Sequence, residues 1–447
     1  MEKEKIIPKR ILNQLLSALS AGVVPRTGAP YIAIGRNEEI ESLLKNLSSV
    51  EEGGAFVRFL IGRYGSGKSF LIQLLRGYAL ERGFLTADAD LSTDQRRLCG
   101  GNGAGLATYR ELLRNLASKA APDGGALPMV LSRHYGAILS KLALNGVFPE
   151  TEGFLALLQK EVFTTFSALE NSVGGFDFAR VIAEYFMATA TEDEAKKSAC
   201  LKWLRGEFSN KTEAKAELGF RISGIVDDEN WYDYMKLWAV FARHIGYTGL
   251  IVYIDECIIL YKIVNRVARE NNYEKILTIF NDTLQGRAQG LGVIFGGTPQ
   301  FLEDTRRGLF SYEALRSRLA DSRFADAGYT TLSSPVIRLR RLSDNELYAL
   351  LSRLSRLHAM QNGIPEILTE AERKEFLSFA LSRAGASELL TPREMIRDFM
   401  TLLNILYENK EATFEALLRA KKDEKEEREA KNEEDELLSF DLSDFNL

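Results

Sequence analysis

Eight residues, Gly62-Arg63-Tyr64-Gly65-Ser66-Gly67-Lys68-Ser69, follow the pattern Gly-x-x-x-x-Gly-Lys-Ser and lead into Phe70. Each fixed position has a chemical use. Glycines let the backbone fold around a phosphate with its N–H groups pointing inward, and a helix starting at the lysine adds the positive end of its dipole. Lys68 is then placed to reach the β- and γ-phosphates of ATP, and the Ser69 hydroxyl to ligate Mg²⁺. A second constellation, Asp255-Glu256, ends the apolar run Leu250-Ile251-Val252-Tyr253-Ile254. Such a run reads as a strand buried on both faces, which delivers its terminal carboxylates to the C-terminal edge of a parallel sheet. There Asp255 would hold Mg²⁺ through water, and Glu256 would act as general base on an attacking water.

Thr298 ends a third apolar run, Gly292 to Gly297, and would reach the same edge to help position that water. Arg306, Arg307, Arg316, Arg318 and Arg323 cluster after it. Phosphoryl transfer gains from an arginine supplied across a subunit boundary. Leu315-Arg316-Ser317-Arg318-Leu319 is the source expected here, Arg318 being favoured over Arg316. Arg393, in Thr391-Pro392-Arg393-Glu394, opens a helix from which it would reach the γ-phosphate. Gly100 to Gly105 has no following Lys-Ser/Thr and reads as a mobile connector. Trp203, Trp231 and Trp238 lie among apolar neighbours, so core packing is expected rather than base stacking. Cys257 reads as a small packing residue.

The elements that must position these groups alternate in type. Phe56–Ile61 forms a strand that runs into the glycine loop, a helix follows from Lys68 to about Arg82, and Phe84–Asp90 forms a second strand. This βαβ start implies an α/β fold with a parallel sheet. Residues 1–30 hold an N-terminal helix with Ile11, Leu12, Leu15, Leu16 and Leu19 at helical spacing. Residues 31–105 carry the first part of the α/β core, 106–247 a mainly helical insertion, and 248–341 the second part of the core. Residues 342–420 form a C-terminal α-helical lid, and 421–447 an acidic tail expected to be disordered.

The net charge of −5 is uneven, because residues 421–447 hold eleven Asp/Glu against five Lys/Arg and leave the body almost neutral. A basic face for nucleic acid is therefore neither indicated nor excluded. With 45% hydrophobic and 27% charged residues, the composition is that of an ordinary globular protein. No run is apolar for long enough to span a bilayer, so a cytoplasmic protein without membrane contact is expected. Three scattered cysteines (Cys99, Cys200, Cys257) and three isolated histidines (His134, His244, His358) suggest neither a disulfide framework nor a zinc site.

Taken in order, these segments resemble the AAA+ superfamily of P-loop NTPases, near its origin-recognition and initiator branch. Ile34-Gly35-Arg36-Asn37-Glu38-Glu39-Ile40 is similar to that branch's Gly-Arg-x-x-Glu-Ile segment, which implies that Gly35 and Arg36 pack near the adenine. By the same resemblance Thr298 falls at sensor 1, Arg318 at the arginine finger and Arg393 at sensor 2. A narrower resemblance is carried by Ile7-Pro8-Lys9-Arg10-Ile11-Leu12, by Gly22 to Gly28, by Phe59 to Leu71 and by Ala87-Asp88-Ala89-Asp90-Leu91-Ser92. These resemble BrxD-type ATP-binding proteins of bacterial BREX phage-defence loci. The resemblance implies an oligomeric ATPase acting beside a partner helicase, with DNA as the eventual target. DNA would be met through the insertion, an assembled pore or the partner. A nucleotide-gated scaffold or signalling switch, with slow or dispensable hydrolysis, is the alternative.

Overall fold

Short apolar runs separated by long amphipathic segments can satisfy their backbones as a parallel sheet with helical crossovers. The computed structural model takes that form. It describes residues 7–166, 174–321, 332–382 and 391–419. The acidic tail and Arg323 lie outside the described residues.

The chain divides into two compact units. One comprises the described residues of 36–64 and 71–340. Its sheet has five parallel strands: β1 (Phe56–Ile61), β2 (Leu85–Asp90), β3 (Leu250–Asp255), β4 (Leu291–Gly297) and β5 (Val336–Arg338), in the spatial order β2-β3-β4-β1-β5. β1, β3 and β4 are buried along their whole lengths, as runs covered on both faces must be.

Between β2 and β3 the described residues form seven helices, Ala104–Arg114, Leu127–Leu144, Phe154–Phe166, Gly175–Ala190, Glu194–Leu204, Lys211–Leu218 and Trp231–His244. Their apolar faces continue the core of the sheet. Trp203, Trp231 and Trp238 are each 1% exposed. Their indole N–H groups donate to Gly224 O (3.2 Å), Leu98 O (2.9 Å) and Tyr109 Oη (3.1 Å), so the three rings are core residues with no face left for a base. The loop around Gly100–Gly105 is anchored, contrary to the connector expected from its glycines. Asn272 Oδ1 accepts from the N–H groups of Leu98 and Cys99 (both 2.9 Å), and the Asp228 carboxylate accepts from those of Gly103 (2.9 Å) and Leu106 (2.8 Å).

The other unit gathers the described residues of 1–35, 65–70 and 341–447. Helices Asp344–Asn362, Glu370–Leu381 and Pro392–Glu408 each begin with a capping box, formed by Ser343 with Glu346, Thr369 with Glu372, and Thr391 with Glu394. Each box satisfies two backbone donors that the first turn leaves open. The N-terminal helix Lys9–Ser20 turns Leu12, Leu15, Leu16 and Leu19 into this helical core, beside Leu351, Leu354 and Phe399. Burying each such side chain contributes about 1.5–3 kcal/mol. The helix at the start of the chain is therefore built into the C-terminal bundle. Among the described residues no helix is long and apolar enough to cross a membrane.

Candidate functional site

All five strands are parallel, so their C-terminal ends share one edge. The chain leaving β1 crosses toward β2, whereas the chain leaving β4 crosses the other way toward β5. Right-handed crossovers then place the two connections on opposite faces and open a crevice above the ends of β1 and β4. The loop Gly62–Ser69 leaves from one side of that crevice and Thr298 from the other. They part just past the last strand bond, Gly62 N–H to Gly297 O at 3.1 Å.

Asp255 closes β3 at the same level as Asp90 on β2. Its carboxylate is 9% exposed and lies against the Cα of Gly296 on β4, where any Cβ would overlap Asp255 Oδ1. The missing side chain at Gly296 is thus what admits the carboxylate. Ile72, one turn after Lys68 in the helix Lys68–Glu81, brings its Cδ1 to 3.3 Å from that same absent Cβ position. Ile72 and Asp255 therefore converge on one glycine.

Glu256 takes φ = +57°, a left-handed backbone that residues with a Cβ rarely adopt. Its N–H donates to Asp255 Oδ1 (2.8 Å), and the next N–H, of Cys257, donates to Gly296 O (2.9 Å). The consequence is a division of labour between neighbours: Asp255 is buried against the sheet and Glu256 is exposed. Cys257 is fully buried, which pushes its thiol well above the usual range and leaves it a packing residue.

Asp90 is a member of this edge for which the Asp90–Asp255 register is the only signal, and register is not local in sequence. Desolvation, with Asp255, Asp88 and Glu256 adding to it and Arg96 opposing, raises its carboxyl to about 6. Tyr64 is 64% exposed, yet partial burial, Glu256 and Asp255 raise its phenol, so it shares the field of the acid pair.

At the loop's tip, Gly65 (φ +75°) and Gly67 (φ +87°) hold left-handed conformations that need glycine. A Cβ on Gly67 would meet nothing within 4 Å, which leaves open space beside the backbone there. A Cβ on Gly65 would sit 2.9 Å from Thr391 Cγ2, so the loop's tip packs on the N-cap of Pro392–Glu408. This brings the exposed Arg393, two residues past that cap, to the neighbourhood of Gly65. Lys68 and Ser69 occupy the helix's first turn, half-buried, with the oriented N–H groups and dipole that attract an anion. Left-handed glycines, an open cradle and a helix N-terminus are a donor set suited to phosphate, and the buried Asp255 carboxylate suits Mg²⁺.

The remaining predicted residues fall as follows. Gly35 (φ +71°) has no room for a side chain, because a Cβ would overlap Glu346 Oε1. Arg36 is 4% exposed and braces its own unit, pairing with Glu39 (3.2 Å) and donating to Arg340 O (2.5 Å). Thr298 is buried and caps helix Pro299–Glu303, its Oγ1 accepting from Phe301 N–H at 3.4 Å. In helix Glu313–Leu319, Leu315 and Leu319 are buried while Arg316 and Arg318 are exposed. Arg316 lies 4.0 Å from Glu313, and Arg318 donates to Ala314 O at 2.6 Å.

Compared with known families, residues 7–422 match the sequence model described as "BREX system ATP-binding protein BrxC/D". No curated protein matches the chain.

Proposed function

The chain belongs to the BrxC/D family of BREX-system ATP-binding proteins, and on that premise we propose that it is an AAA+-type ATPase hydrolysing ATP at its sheet edge. ATP binding and a place in phage defence come with the family. Hydrolysis is supported chiefly by one observation: two adjacent carboxylates at the end of β3 are driven into different environments, Asp255 inward over Gly296 and Glu256 outward on a left-handed backbone. A buried carboxylate suits a cation, and an exposed one suits a water molecule.

In this proposal Gly62, Arg63, Tyr64, Gly65, Ser66 and Gly67 wrap the triphosphate with backbone N–H groups, and Lys68 neutralises its β,γ end. Ser69 and Asp255 hold Mg²⁺, which supplies charge neutralisation on the phosphates when bound. Glu256 accepts a proton from the attacking water. Thr298, whose Oγ1 is fixed as a helix cap, donates its hydroxyl proton toward that water. Arg393, in the same unit as Lys68 and Ser69, contacts the γ-phosphate, and Gly35 with Arg36 borders the base.

Arg318, exposed on a helix whose apolar face is anchored, completes the site of a second copy. The active species is then a homo-oligomer in the cytoplasm, working with a partner helicase of the same locus on DNA. ATP turnover per chain should rise with protein concentration. Arg318→Ala should lower it by about 10³-fold with ATP affinity intact, the effect of losing a trans-acting arginine. Turnover per chain that stays constant on dilution rejects the shared site.

A further inference from the structure

Away from the nucleotide residues, the segment that follows the first short helix after β3 has a charge arrangement the proposed reaction does not use. The Ile263 carbonyl accepts from two guanidinium groups, Arg269 Nη1 at 2.8 Å and Arg307 Nη2 at 3.2 Å. Arg269 is 6% exposed. The Nε of each arginine is buried without a hydrogen-bond partner, and among the described residues neither guanidinium is ion-paired. Arg307 also stacks over the Tyr261 ring at 5.3 Å. Arg269 is buried and Arg307 half-buried, and two cations sharing one neutral oxygen in such surroundings are costly unless an anion joins them.

Around them Arg266 pairs with Glu270 (2.8 Å) and Asp304 accepts the Arg307 backbone N–H (2.9 Å), while Lys262 is exposed beside apolar side chains. Lys262-Ile263-Val264-Asn265-Arg266-Val267-Ala268-Arg269 has three cations and no acidic residue. Val264 is 88% exposed and Val267 65% exposed, large values for apolar side chains flanking buried charge. Bare phosphate would use the arginines and leave the valines wet. A peptide that is both acidic and apolar would use both.

This chain carries such a peptide. Residues 433–447 contain six Asp/Glu and no Lys/Arg, interleaved with Leu437, Leu438, Phe440, Leu442, Phe445 and Leu447. The family match ends at residue 422, before this segment. We propose that the Val264–Arg269 patch, with Arg307, is a docking site for the 433–447 segment of a second copy of this chain. Carboxylates of the tail meet Arg307 and the exposed Lys262, and its leucines and phenylalanines cover Val264 and Val267. Basic groups beside exposed valines form a surface complementary to an acidic, apolar segment of a separate molecule. The inference uses no residue of the nucleotide site and stands apart from it.

The test places a photo-cross-linker on the exposed position, Val264→p-benzoylphenylalanine, in the full chain prepared in light and heavy nitrogen and mixed. Irradiation should join position 264 to residues 433–447, with light–heavy pairs among the products. Reversing the tail's charge (Glu433, Glu434, Asp435 and Glu436 to Lys) should lower the yield by about tenfold, as the loss of complementary charge predicts. Cross-links that avoid 433–447, that join only light to light and heavy to heavy, or that persist after charge reversal overturn the proposal. So does transfer of the cross-link to an added single-stranded oligonucleotide, which would assign the patch to nucleic acid.

Discussion

Replacing Gly296 by Ala would put a Cβ into the volume held by Asp255 Oδ1, with Ile72 Cδ1 3.3 Å from it. Neither the strand backbone nor a helix residue can give way easily, so the carboxylate must retreat by about 1 Å to regain ordinary contact. Overpacking of this kind costs about 1–3 kcal/mol of stability, which a well-packed sheet survives. Displacing a metal-holding group by about 1 Å is far more damaging to chemistry, on the order of 10²-fold in rate. Gly296→Ala should therefore fold and bind ATP within about threefold of the wild-type affinity, since less than 1 kcal/mol is at stake in the loop, yet hydrolyse ATP about a hundredfold more slowly. A fluorescent ATP titration, a thermal melt and a phosphate-release assay on the same preparation separate the three quantities. Turnover within twofold of wild type, in a folded variant, would refute the placement of Asp255 or its role.

Two further substitutions probe the acid edge. Glu256→Gly removes the left-handed strain at φ = +57° and should stabilise the fold by about 1 kcal/mol, a rise of about 1–2 °C in Tm, while turnover is lost. A lower Tm would mean that the strain is absent. Asp90→Asn tests the raised carboxyl near 6. An acid whose folded pKa lies above its unfolded value contributes stability below the unfolded value, and loses it as pH rises through the folded one. The asparagine variant should thus melt higher than wild type at pH 7.5, and the gain should shrink toward zero as the pH falls to about 4. A gain independent of pH would show that Asp90 does not titrate in that window.

The positions of the candidate residues were legible where the pattern is local in sequence: Gly62–Ser69 follows β1 and Asp255-Glu256 ends β3, as contiguous apolar runs before them suggest. What stayed hidden depends on partners distant along the chain. The Asp90–Asp255 level is set by strand register, and the room at Gly296 by which strand lies beside β3. Gly100–Gly105 suggested mobility because nothing near it in sequence announces Asp228 and Asn272, more than a hundred residues on, which tie its backbone down. The apolar face of Lys9–Ser20 was visible, but the helices it packs on lie at the other end of the chain. The contacts of Arg36 with Arg340 O and Glu39 likewise could not be read from spacing. The left-handed backbone at Glu256 has no sequence signature at all.

The most direct test of the central claim is the nucleotide carried by three purified full-length proteins, incubated with Mg²⁺ and ATP, denatured and analysed by chromatography. Wild type should yield ADP. Glu256→Gln should retain ATP at one per chain, because its loop is intact and general-base loss costs about 10²–10⁴-fold in rate. Lys68→Ala should retain none, since a charged contact worth about 1.5–3 kcal/mol is removed. A Glu256→Gln protein that yields ADP as fast as wild type, or a Lys68→Ala protein that still carries ATP, would contradict the account.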